Sequence, residues 1–224
     1  MPLFTPHLEI LPPSQRLLWE ELHDVPPEFV MYGGTALALQ LGHRQSLDFD
    51  FFCFQSFDTM ALYHQIHFLA GSTIVQQGKN TLSCLIDRGG ELRISFFGVP
   101  YIRQIESPHL SPNGSKIASL IDLAGTKAAV VQQRAEARDY LDLDALIRHG
   151  IDLPHALAAA QAIYGPEFNA LITLKALSFF GDGNLSKLPE ETKARLIKAV
   201  AEVDLGNLPT LTRESDESGK QERP

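Results

Sequence analysis

The segment 32–52, YGGTALALQLGHRQSLDFDFF, constrains the fold more than any other part of this chain. A short apolar run (29–32) leads into two glycines, a helical stretch starts near Thr35, and aspartates then alternate with phenylalanines over 47–54. Period-two alternation predicts a strand that sends Asp48 and Asp50 to one face and Leu47, Phe49 and Phe51 to the other. Two carboxylates roughly 7 Å apart on one face are hard oxygen ligands of the kind Mg²⁺ takes together with substrate phosphate oxygens. A solvated sheet face is the competing account of the Asp-x-Asp pair taken alone. Gly33 and Gly34 tip the balance, because a backbone without Cβ atoms lets a ligand approach and the N–H groups opening the next helix attract anions. Thr35 can cap that helix or donate its hydroxyl to a phosphate. The chain has neither the phosphate loop ending in Gly-Lys-Ser/Thr nor the dinucleotide glycine fingerprint.

With 224 residues and 44% hydrophobic content, the chain can bury a core without disulfides or metals. The net charge of −8 argues against coating nucleic acid by bulk electrostatics, although a local cationic cleft is compatible with it. No apolar run is long enough to span a bilayer, and residues 1–10 lack the features of a secretory signal. Cys53 and Cys84 lie in apolar strand-like segments and read as buried thiols of a reducing compartment. A cytoplasmic protein without a membrane partner is therefore expected. Residues 213–224, RESDESGKQERP, have no apolar periodicity and are expected to be disordered.

Further along, the pattern predicts a helix over 14–23, another over 59–70, and a hairpin of strands 82–87 and 91–98 turning at Arg88-Gly89-Gly90. From Ser115 it becomes helical over 117–137, 140–149, 154–164, 168–180 and 190–203. The turn-rich SPNGSK sequence at 111–116 marks the change, dividing the chain into an α/β domain (1–114), a helical domain (115–205) and a tail (206–224). An antiparallel hairpin followed by consecutive helices predicts an α+β fold: a mixed sheet flanked by helices, then a C-terminal helical bundle.

The second segment of interest is 122–147, DLAGTKAAVVQQRAEARDYLDLDALI. On a continuous helix Lys127, Arg134 and Arg138 share a narrow stripe, which is either a solvated charged face or a surface for phosphates. Lys127 would act there as a point charge, and Arg134 as a second clamp or a bridge between domains. Asp139 falls where a helix N-cap is expected, with Asp142 three residues on.

Gly33, Gly34, Thr35, Arg44, Ser46, Asp48 and Asp50, together with the 122–147 segment, resemble the two conserved blocks of the AbiEii/AbiGii toxin family, a branch of the polymerase-β-like nucleotidyltransferases. The resemblance implies transfer of a nucleoside monophosphate from a nucleoside triphosphate, with Mg²⁺ as cofactor, to an RNA (tRNA included) or protein acceptor. It also implies a toxin paired with a separately encoded antitoxin. By the same resemblance Asp48, Asp50, Lys127 and Asp139 are catalytic, Asp48 and Asp50 hold metal, and Gly33, Gly34, Thr35, Arg44, Ser46 and Arg134 bind nucleotide. The nucleotide is expected between the α/β half and the helical half. The chain departs from the superfamily at the third carboxylate, where the strand 91–98 carries Ser95. A hydroxyl is neither a general base nor a strong metal ligand at neutral pH. Glu91 or Asp139 can substitute; the alternative is a catalytically silent nucleotide- or antitoxin-binding module of the same fold. His64 and His67, three apart on a helix, have no evident third ligand for zinc.

Overall fold

A computed structural model of the chain describes residues 4–211. They form two compact units, one of residues up to 102 with 108–118, the other of residues 103–107 with those from 119 onward.

The first unit is built on a seven-stranded mixed sheet. Its strands are β1 (Val30–Tyr32), β2 (Asp48–Cys53), β3 (Thr73–Gly78), β4 (Thr81–Asp87), β5 (Glu91–Gly98), β6 (His109–Leu110) and β7 (Lys116–Ile117), in the order β3-β4-β5-β2-β1-β7-β6. The β2–β5 and β1–β7 pairs are parallel and the others antiparallel. Phe49, Phe51 and Cys53 alternate into the core with Ile94, Phe96, Leu82 and Cys84, all of them fully buried. Each such phenylalanine contributes about 1.5–3 kcal/mol by leaving water, so one face of β2 is fixed as the inner one. Phe51 stacks on Phe96 at 5.5 Å, and Phe29 meets Phe96 edge-on at 5.3 Å. Helices α1 (Pro13–Glu21), α2 (Gly33–Leu41) and α3 (Thr59–Gln65) complete the unit. Asp58 caps α3 by accepting the Met60 and Ala61 N–H groups.

Three strands lie where the sequence pattern predicts none. β3 is an edge strand with most residues exposed, so Gln76 and Gln77 interrupt no buried face and leave no alternation to read. β6 and β7 have two residues each, and the SPNGSK sequence forms the turn between them. Ile117, expected at the start of a helix, instead pairs in parallel with β1.

The second unit holds α4 (Leu120–Val130), α5 (Ala137–Arg148), α6 (Leu153–Tyr164), α7 (Ala170–Leu177) and α8 (Glu190–Ala201). Ser119 caps α4 by accepting the Asp122 N–H. Fully buried Asp122 accepts the N–H groups of Ile105 (2.9 Å) and Glu106 (3.1 Å) and the Ser119 hydroxyl (2.7 Å). This carboxylate is what ties the short 103–107 segment into the helical unit. The Asp144 carboxylate joins α5 to α8 by taking two bonds from Arg195, at 2.6 and 2.8 Å.

The helix expected over 117–137 ends at Val130 and the next begins at Ala137, so the break expected near 138–139 falls at 131–136. Neither proline nor glycine marks the interruption, and Glu136, at the N-cap of α5, makes no side-chain cap bond. The cap comes from elsewhere in the chain: Asn184 Oδ1 accepts the Ala137 N–H at 2.6 Å. A lone charged stripe running through Lys127, Arg134 and Arg138 therefore does not form. Leu205–Asn207 is a 3-10 turn closed by Asp204 where the tail was expected to begin, and residues from 212 on, with the disorder expected there, lie outside the described residues.

At Gly125 the α4 backbone meets α6 so closely that an added Cβ would lie 2.7 Å from Ile163 Cδ1 and 2.9 Å from the Ala160 nitrogen. Gly125→Ala should lower stability by about 1–3 kcal/mol despite the better helix propensity of alanine, as read by urea denaturation.

Candidate active site

β1 passes directly into α2, whose first residues are Gly33 and Gly34. Gly33 sits at φ +76°, a backbone conformation open to glycine at little cost. A Cβ there would lie 2.7 Å from Asp50 Oδ2, and one at Gly34 would strike the Arg44 guanidinium and lie 2.9 Å from Ser46 Oγ. The two missing side chains thus leave a cradle rimmed by a carboxylate, a guanidinium and a hydroxyl. Of the residues nominated by sequence, Gly33, Gly34, Arg44, Ser46 and Asp50 are brought together here.

Asp48 and Asp50 project from the face of β2 opposite Phe49 and Phe51 and are partly exposed. Thr35 has a different task from capping: it is buried in the third helical position, and its hydroxyl donates to the Asp48 carbonyl, pinning the start of β2 to α2. Tyr32, at the N-cap, makes no side-chain cap bond, so the first N–H groups of α2 are not claimed by a local cap.

On β5, Ser95 pairs in register with Asp50. Its hydroxyl is buried and bonds to Ser83 on β4 at 3.1 Å. The position next to Asp50 is thus filled by a neutral hydroxyl pair. Among the described residues no group of three or more His, Cys, Asp or Glu side chains is arranged to hold a metal. The donor set that does fit a divalent cation is Asp48 and Asp50, two carboxylates completed by phosphate oxygens and water.

The second unit carries a buried charge cluster. The Lys127 ammonium lies 2.7 Å from Asp139 and 2.6 Å from Asp142, with the lysine side chain 6% exposed and both carboxylates fully buried. Arg134 grips Asp139 as well, at 2.7 and 3.2 Å, but is 43% exposed. Asp139 stands in the first turn of α5, not at its cap, and its carboxylate is committed to these two cations. Burial alone would raise the Asp139 carboxyl; Arg134 and Lys127 beside it more than offset this and hold it below its ordinary value. Arg138 pairs with Glu136 at 2.7 Å and stands outside the cluster. Arg134 also lines an open cavity of about 490 Å³ with Gln132, Lys175, Phe179 and Asp182.

The model of the nucleotidyl transferase AbiEii toxin family, described as a type IV toxin–antitoxin system, matches residues 16–209. The chain belongs to that family. An AbiEii-family chain is a nucleotidyltransferase, in a family that generally uses a divalent metal and implies a nucleoside triphosphate substrate and a cognate antitoxin. An uncharacterised protein of Aquifex aeolicus (strain VF5) is 36% identical over 159 residues, spanning 69% of this chain and 75% of that protein. The nucleotidyltransferase toxin MenT4 of Mycobacterium tuberculosis H37Rv superposes with a TM-score of 0.60, covering 86% of this chain and 84% of its own. At 14% identity that likeness speaks to the α+β nucleotidyltransferase fold alone. Among the described residues of this family member, no helix is long and apolar enough to cross a membrane.

A residue that sequence reasoning missed is Asn184, which no local signal connects to α5. Asp139→Asn should destabilise the protein by about 3–5 kcal/mol at pH 7, because Lys127 and Arg134 lose a buried counter-charge. Since the Asp139 carboxyl is depressed in the folded state, its contribution is present above the ordinary aspartate range near pH 4 and is lost as pH falls through the lower folded value. Denaturation profiles from pH 7 to 2.5 should show a shallower acid limb for the variant than for the wild type.

Proposed function

We propose that the chain transfers a nucleoside monophosphate from a nucleoside triphosphate to a hydroxyl of an RNA, with tRNA as one such acceptor, or of a protein, and that it does so as a toxin held in check by a cognate antitoxin. The observation that carries this is the cradle at Gly33 and Gly34, bounded by Asp50 on one side and by Arg44 and Ser46 on the other. The α2 N-terminus and the Arg44 guanidinium receive phosphate oxygens. Asp48 and Asp50 would hold Mg²⁺, which when bound supplies charge neutralisation at the phosphates. Thr35 acts indirectly, by holding β2 and its carboxylates against α2. The acceptor oxygen bonds to the α-phosphorus as the α–β bridging bond breaks; pyrophosphate leaves and the hydroxyl proton passes to water. Positioning and electrostatics supply most of the acceleration.

In the second unit, Asp139, itself anchored by Lys127, is assigned to holding Arg134, the member of the cluster with an exposed edge and hence the one available to an anion. Lys127 as a direct phosphate ligand would first have to give up two carboxylates.

A second assignment, a nucleotide- or antitoxin-binding module without turnover, is favoured by one observation: the Ser95–Ser83 hydroxyl pair beside Asp50, where the superfamily places a third carboxylate. The two are separated by incubating the protein with Mg²⁺, each α-labelled nucleoside triphosphate and total RNA. Label appearing in RNA or protein supports transfer; triphosphate binding without release of pyrophosphate supports the silent module.

Asp48→Asn and Asp50→Asn should each weaken binding of Mn²⁺, used as a paramagnetic probe in the presence of a non-hydrolysable triphosphate, by about tenfold or more, and reduce transfer about 100-fold. Unchanged metal affinity in both variants would overturn the metal assignment.

A further inference from the structure

The face that carries the aspartates is graded along the strands. The parallel register of β2 and β5 pairs Asp48 with Arg93, Asp50 with Ser95 and Phe52 with Phe97. Successive rungs, roughly 7 Å apart, therefore run from a carboxylate beside a guanidinium, through a carboxylate beside a hydroxyl, to an aromatic pair. In the aromatic rung the Phe52 and Phe97 rings meet edge to face at 5.5 Å. Tyr32 stacks on Phe52 at 4.8 Å with 13° between the planes. Tyr32 is buried, whereas Phe52 and Phe97 keep part of their surface in solvent. These two rings lie on the face opposite the fully buried phenylalanines Phe49, Phe51 and Phe96.

The cradle fixes which reactant lies where. Gly33 and Gly34 stand on the β1 side of β2, against Asp50, and β5 flanks β2 on the opposite side. In-line displacement puts the entering hydroxyl and the departing pyrophosphate on opposite sides of the phosphorus. With phosphates at the glycines, the acceptor arrives over β5. There the strand offers Phe97, next to Phe52, and, four residues earlier on the same face, the exposed Arg93. A part-exposed aromatic surface backed by a stacked ring suits the flat face of an unpaired base, and a guanidinium further along the strand suits a backbone phosphate. A protein hydroxyl brings no phosphate for Arg93.

We propose that Phe52 and Phe97, backed by Tyr32, form a stacking platform for the terminal unpaired base of a single-stranded nucleic acid acceptor. This assignment rests on the nucleotidyl-transfer reading of the same face. The test uses the full chain, Mg²⁺, a non-hydrolysable triphosphate and a short RNA oligonucleotide whose 3′-terminal base is fluorescent 2-aminopurine. The wild type should quench that base saturably, whereas the Phe52→Leu/Phe97→Leu variant, which keeps apolar bulk, should need about tenfold more protein. Phe97→Tyr should behave as wild type, and an oligonucleotide with an abasic terminus should compete with the 2-aminopurine oligonucleotide for the wild type about tenfold more weakly than an unlabelled intact one does. Calorimetric affinity for the triphosphate should stay within about twofold in all variants, which also checks folding. The platform is overturned if the wild type binds triphosphate but does not quench the base, if the abasic terminus binds equally well, or if the double variant quenches like the wild type. Loss of triphosphate binding by the wild type would refute the underlying transfer reading instead.

Discussion

The first unit depends on the alternation within β2. Burying Phe49 and Phe51, the latter stacked on Phe96, is favourable enough to fix the pleat, and once it is fixed Asp48 and Asp50 have only the other face to occupy. A slip of one residue would bury both carboxylates and expose both rings, an exchange costing far more than the protein's net stability. The same hydrophobic contact that stabilises the sheet thereby orients the acids. Thr35 extends the constraint to α2, so that the glycine cradle and the aspartates are parts of one rigid assembly.

The helical unit solves a different problem. Its buried carboxylates are held in matched sets with cations: Asp139 and Asp142 around Lys127, with the half-exposed Arg134 on Asp139, and Asp144 against Arg195. Such sets contribute less to stability than hydrophobic packing of the same volume would, but they strongly penalise any arrangement that separates the partners. Their effect is to define where α5 lies relative to α4 and α8. Within the 122–147 segment these pairs fix the packing, and Arg134 forms the exposed edge of the cluster.

The β2 strand, the Gly33–Gly34 turn, the β4–β5 hairpin and most of the helices were legible because each is written in local periodicity and turn chemistry. The departure at Ser95 was legible too, and its register beside Asp50 follows from counting along two strands. What could not be read depended on distant partners. β3 has no buried face to impose a pattern, β7 exists because β1 offers it an edge, and the break between α4 and α5 falls a few residues earlier than expected, where a tertiary bond from Asn184 caps α5. Lys127 illustrates the same limit within the candidate site. Its helical position was predictable, but its enclosure by two carboxylates from the next helix was not, and that changes it from an exposed point charge to a buried counter-ion.

Asn184 gives the molecule an order of assembly. The first N–H of α5 is satisfied by a side chain 47 residues further along the chain. During synthesis, α4 and the residues of α5 leave the ribosome well before that amide exists to receive them. The cap of the helix that carries Asp139 is therefore completed only after α7 has been made. A chain that ends before Asn184 therefore leaves the first turn of α5 without this cap.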